Sequence, residues 1–168
     1  FNLFFKEAND FSDVYKYASQ IYYFKDPQSL LVIKIAAFFD LFTFSTYSAT
    51  ALLFAVFSFA GMWALFLVFY RQYPDLHKPL ASAVLLIPSV CFWGSGILKD
   101  SIVLGCLGLA TYQFYLIFFE KRSRVMSTVI VLISLYLIFG LKKYVLLAYL
   151  PAIIFWVSLY YLKYIRSL

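Results

Sequence analysis

The sequence is poor in charge: Asp, Glu, Lys and Arg make up only 13% of its 168 residues. Soluble domains average about 25% charged and roughly 45–50% apolar residues. At 64% hydrophobic and 23% aromatic, with mean hydropathy +0.86, this chain is not an ordinary water-soluble globule. It has one histidine, His77, so histidine metal sites and Ser-His-Asp chemistry have almost no material. Its two cysteines, Cys91 and Cys106, both lie in apolar stretches, where a thiol behaves as a small hydrophobe. Neither a disulfide framework nor a metal quartet follows from them. The opening residues do not read like a secretory leader either. The chain opens on Phe1-Asn2-Leu3-Phe4-Phe5 without a basic region or a small-residue cleavage site. With Phe1 in place of Met, it reads as a piece cut from a longer chain.

What the sequence has in abundance is long apolar runs. A spanning helix needs about 20 mainly apolar residues to cross a hydrocarbon layer about 30 Å thick. Five segments meet or approach that length: Ala49–Tyr70, Leu80–Leu98, Ser101–Phe119, Val125–Leu141 and Tyr144–Leu162. The gaps between them are short, which predicts antiparallel neighbours in one bundle rather than separate domains. Leu30–Phe44 is also apolar but carries Lys34 and Asp40. Each such charge costs roughly 2.5–3.5 kcal/mol at a helix centre, against about 0.3–0.6 returned per large apolar residue. The balance favours a helix lying in the membrane interface, with a sixth, tilted span as the alternative. The expected fold is therefore an all-α, polytopic transmembrane helical bundle of about five spans plus one interfacial helix. Residues 1–29 form an outer-face loop with short helices, 30–48 the interfacial helix and turn, and 49–168 the five-span bundle.

Lys and Arg total 14 against 8 Asp and Glu, a net charge of +6. In a membrane protein that excess marks cytoplasmic loops and contact with anionic headgroups, so membrane lipid, not nucleic acid, is the expected partner. Five spans place Arg71, Lys78, Lys121, Arg122, Arg124, Lys163 and Arg166 on one side. Lys99, Lys142 and Lys143 fall near span ends on the other. The first side is the cytoplasmic one by the positive-inside rule. In a bacterium the second is the outer face of the inner membrane, and residues 1–29 share it.

Three clusters on that outer face can carry chemistry. A helix beginning near Phe11 aligns Asp10, Asp13 and Tyr17, and paired carboxylates can hold a divalent cation or take a proton from a sugar hydroxyl. The plainer role is helix capping. The second cluster runs from Pro88 to Ser101. Pro88 removes the hydrogen bond to the carbonyl of Val84 and kinks the span, and Gly94-Ser95-Gly96 loosens the helix before the surface. Lys99 offers a point charge to a phosphate, and Asp100 and Ser101 begin the next helix, whose N-terminus favours anions. A tight hairpin with Asp100 as cap and Lys99 snorkelling is the alternative. The third cluster, Lys142-Lys143-Tyr144, suits a phosphate or diphosphate headgroup, or else a lipid-facing anchor. Ser101, Gly105, Gly108 and Tyr112 share a helix face that lets a neighbour approach closely. Pro151 is expected to interrupt the last span, Glu120 to Arg124 to act as a topology signal, and His77 to be a solvated loop residue.

The pattern from Pro88 to Asp100, with Lys142-Lys143-Tyr144 and Pro151 further on, resembles bacterial polytopic membrane proteins of cell-surface polysaccharide assembly. These are GT-C-type glycosyltransferases that use polyprenyl-phosphate sugars, and the related oligosaccharide-repeat polymerases. The resemblance implies that an outer-face carboxylate, Asp13 or Asp10, deprotonates an acceptor hydroxyl. It implies that Lys99, Lys142 and Lys143 neutralise the departing lipid phosphate, with Asp100 and Tyr144 in the same substrate-binding set. The usual Asp-Glu or Glu-Asp dipeptide is missing here. A non-catalytic subunit anchoring a larger complex of membrane proteins, and a transporter or flippase of lipid-linked anions, are the competing expectations.

Overall fold

The computed structural model describes residues 27–43, 46–120 and 124–166, and every described element is helical. Helix α1 spans Pro27–Thr43, α2 Tyr47–Gln72, α3 His77–Leu85, α4 Pro88–Gly94, α5 Lys99–Tyr115, α6 Arg124–Leu141 and α7 Lys143–Arg166. A short 3₁₀ turn, Pro74–Leu76, precedes α3, and a π-helical turn, Leu116–Glu120, extends α5. Among the described residues, two helices are long and apolar enough to cross a membrane: α2, and α5 with its extension to Glu120. A third candidate is the pair α3 and α4, with Pro74–Leu85 and Pro88–Gly94 meeting at a 52° bend. Helices α6 and α7 contain the shorter apolar stretches Val125–Leu141 and Lys143–Leu159.

The bend lies where the sequence predicts it. Pro88 has no amide hydrogen to offer Val84 and disfavours helical backbone at Ile87, which adopts φ −68° and ψ 120°. One freed carbonyl, that of Leu85, accepts a hydrogen bond from the Cys91 thiol at 3.3 Å. At the other end α4 stops at Gly94, and Leu98 is extended at φ −122°, ψ 155° before α5 begins.

The centre of the bundle is the crossing of α2 and α5. Cβ atoms placed on Gly61 and Gly108 would run into the partner helix's backbone, and one on Gly105 into the Phe57 ring. Only glycine permits this approach, which replaces side-chain packing by direct van der Waals contact between backbones. The small-residue face predicted on α5 is therefore used; its partner on α2 is Gly61.

These contacts also fix the chain's direction. Gly105 and Gly108 meet Gly61, while Arg71, later in α2, meets Tyr112, Tyr115 and Glu120, later in α5. Helices α2 and α5 thus run parallel, and residues 73–98 carry the chain back along the length of the bundle. Helix α6 runs opposite to α5, since Ile138 and Leu141 near its end join Ile102, Val103 and Cys106 near the start of α5 in one buried cluster. Helix α7 runs parallel to α5: Tyr149 bonds Thr111, and Trp156 stacks on Phe119. Pro151 lies inside α7 without interrupting it, contrary to expectation. A proline costs one hydrogen bond, and membrane helices absorb that loss by local adjustment.

Helix α1 packs on the near end of the bundle, where α5 starts and α6 ends. Val32 joins the buried cluster with Phe54, Ile102 and Leu141, and Phe39 stacks edge-on against Phe54 at 5.4 Å. Its Asp40 carboxylate accepts hydrogen bonds from the hydroxyls of Thr50 and Thr43, so this charge is satisfied within the α1–α2 corner. Around the bundle the outward positions are apolar: Leu52, Val56 and Phe59 on α2, Leu132 and Tyr136 on α6, Leu147, Ile154 and Phe155 on α7 are all exposed. Apolar exposure on this scale marks a surface made for an apolar or protein environment.

Candidate functional site

The site sits at the near end, assembled by the helix starts and stops described above. Asp100 lies in the first turn of α5, where the positive end of the helix dipole favours a carboxylate. Lys142 follows the last residue of α6, where the negative end favours an ammonium; its backbone amide donates to the carbonyl of Ile138 at 2.8 Å. Antiparallel packing of α5 and α6 brings these two ends together, and the Lys142 Nζ donates to Asp100 Oδ1 in a partly exposed ion pair. Burial pulls the Lys142 pKa down, but Asp100 and Tyr144 more than offset it, leaving the group above its ordinary 10.5. The Lys142 ammonium also lies 5.8 Å from the centre of the Tyr144 ring.

This pair forms part of the wall of a cavity of about 460 Å³. Ser89, Val90 and Trp93 of α4 line it, with Asp100 and Leu104 of α5 and Lys142. The opening exists because α4 is short and set at an angle. Ser101 anchors the irregular stretch: buried, its hydroxyl reaches the carbonyls of Gly96 at 2.6 Å and Trp93 at 3.0 Å. The same side chain that lines the close-packing face of α5 also fixes the loop that frames the cavity.

The residues predicted from sequence are thus divided. Asp100, Lys142 and Tyr144 come together. Lys143 points elsewhere, exposed, with its Nζ 5.3 Å from the centre of the Phe139 ring. Lys99 lines a different cavity, about 400 Å³, together with Ser29, Val32, Ile33 and Ala36 of α1 and Ile97 and Leu98. Lys99 and Asp100 are successive residues at the start of α5, and the turn of about 100° per helical residue sets one on the α1 side and the other on the α4 side. Asp10 and Asp13 lie outside the described residues. Among the described residues no group of three or more His, Cys, Asp or Glu side chains is arranged to hold a metal ion.

No family model, curated protein or solved structure matches the chain.

A second polar cluster, with no local pattern to announce it, sits at the far end. Arg71, in the last turn of α2, pairs with Glu120 in the π-helical turn. Its guanidinium lies 5.4 Å from the centre of the Tyr112 ring and 6.0 Å from that of Tyr115. His77 opens α3, exposed, with Nδ1 3.2 Å from the carbonyl of Pro74.

Proposed function

We propose that this chain is a five-crossing bundle of the bacterial inner membrane that acts, as a glycosyltransferase or polysaccharide polymerase, on a polyprenyl-phosphate-linked sugar at the outer face. The crossings are α2, the bent pair α3–α4, α5, α6 and α7, and the alternating chain direction supports that count. Arg71 and Lys78 belong to the cytoplasmic end by the charge rule, and Asp100 and Lys142 to the outer end.

One observation carries the functional reading: the lysine at the α6–α7 corner and a carboxylate at the start of α5 meet on the wall of a cavity, beside Trp93 and Ser89. An ammonium suits a lipid phosphate, an indole a sugar ring face, and a carboxylate a hydroxyl proton. When the anomeric carbon–oxygen bond breaks, its electron pair leaves on the lipid phosphate, which gains negative charge. A cation placed there stabilises the transition state more than the ground state. Lys142 fills this role, with Lys143 and Lys99 contributing to the cationic field of the outer end. In membranes supplied with a polyprenyl-phosphate sugar, Lys142→Ala should lower transfer about 10²–10³-fold, the effect of removing one such donor. Unchanged transfer by a normally assembled variant would overturn the reading.

The mutual satisfaction of Asp100 and Lys142 favours a second reading, a non-catalytic subunit in which the pair only locks α5 to the α6–α7 corner. Under it, Lys142→Ala weakens assembly with partner membrane proteins and changes no transfer step.

A further inference from the structure

We infer that the Asp100–Lys142 pair is an exchangeable latch, in which a ligand phosphate takes Lys142 and thereby releases Asp100 to act as the proton acceptor. This deepens the proposed function and rests on it. The ammonium is a flexible point charge with three donors, and it can leave one anion for another without losing its charge. Both partners are partly open to solvent, at 22% for Lys142 and 31% for Asp100, so an arriving phosphate reaches them without unfolding the corner. The cavity gives it the place to do so. A phosphate bearing a lipid and a sugar is the larger and more polarisable competitor, whereas Asp100 loses only one contact and keeps the favourable start of α5.

The released carboxylate changes role. Bound to Lys142, the carboxylate has its Oδ1 engaged and its charge paired with the ammonium; freed, it can accept a proton within the cavity. The acceptor hydroxyl oxygen then forms a bond to the anomeric carbon. The bond from that carbon to the phosphate oxygen breaks, its electron pair leaves with the lipid phosphate, and the hydroxyl proton passes to Asp100. Lys142 holds the phosphate as its charge rises. After the lipid phosphate departs, Asp100 loses the proton to water and the ion pair re-forms. The latch keeps the carboxylate occupied until a donor is bound, so the base is released only when the donor phosphate is in place.

Binding of farnesyl phosphate to the purified protein in lipid nanodiscs, alongside transfer rates in the same preparation, tests this. Asp100→Asn removes the competing anion but keeps a hydrogen-bond acceptor for Lys142. It should bind farnesyl phosphate about tenfold more tightly, as expected when one screened charge contact is relieved. It should also transfer at least about 10²-fold more slowly, the range of a lost general base. Asp100→Glu, which retains the charge, should recover part of the transfer and restore wild-type binding. Asp100→Asn binding equal to or weaker than wild type would overturn the latch, as would wild-type transfer by that variant. If instead Lys142→Ala binds farnesyl phosphate as wild type does, the headgroup reading itself fails.

Discussion

The two ends of the bundle each join distant parts of the chain through an ion pair, yet the pairs are built from different materials. At the far end an arginine, planar and stackable, is held over two tyrosine rings while it meets Glu120. At the near end a lysine meets Asp100 beside a cavity. Helix dipoles divide the pairs further. Asp100 and Lys142 both sit at helix ends that favour their charge, whereas Glu120 lies at the negative end of the extended α5. Glu120 therefore depends on Arg71 more than Asp100 depends on Lys142. One end is a clamp, the other a contact that can be exchanged. Charge pairing alone does not mark a functional site; the residue types and the space beside them do.

Helix α5 and its extension carry one member of each pair, so the largest expected effect removes both ends together. Gly108→Val would thrust two methyl groups into the Gly61 backbone, a strain of about 3 kcal/mol or more. Detergent-solubilised protein should then elute as aggregate, with transfer lost; a monodisperse, active variant would refute the glycine seam. Next, Arg71→Ala should lower stability by about 1–2 kcal/mol, combining a partly exposed ion pair with two cation–π contacts, and leave transfer unchanged. A loss of transfer with intact stability would reverse the roles assigned to the two ends. Arg71→Lys keeps the charge and loses the planar stacking, so a thermal shift of about half that size is expected.

The smallest effect is on pH dependence. The Lys142 pKa is raised in the folded protein, so its contribution to stability is fully present below 10.5 and is lost as pH rises through the higher folded value. Melting curves of wild type and Lys142→Ala should therefore keep a constant separation at neutral pH and converge only above 10.5. Convergence near neutrality would mean that another group supplies the difference.

Local chemistry was legible in the sequence. The apolar run Ala49–Tyr70 emerges as α2, Tyr47–Gln72, and the kink before Pro88 and the loosening after Gly94 both occur. The small-residue face of α5 was legible as a packing surface, but its partner Gly61 was not, since one glycine in an apolar run carries no register. The candidate set Asp100, Lys142 and Tyr144 was named from charge at helix corners. Its pairing across 42 residues follows from antiparallel packing, which no local pattern encodes. Lys99 falls outside that set because the turn of about 100° per helical residue directs it and its neighbour Asp100 to different sides of α5. Arg71 and Glu120 looked like topology signals because their stacking partners, Tyr112 and Tyr115, are visible only once α2 and α5 lie parallel.

The glycine seam has a mechanical meaning. Two backbones in direct contact leave no side-chain layer to shear, so α2 and α5 behave as one beam running the length of the bundle. Asp100 and Glu120 are fixed to that beam. Any opening of the cavity must then come from the lighter parts hung on it: the angled α4, or the corner that bears Lys142. In machine terms Asp100 is the stator and Lys142 the moving contact, and spin labels on α4 and α7 should change separation on ligand binding while labels on α2 and α5 stay fixed.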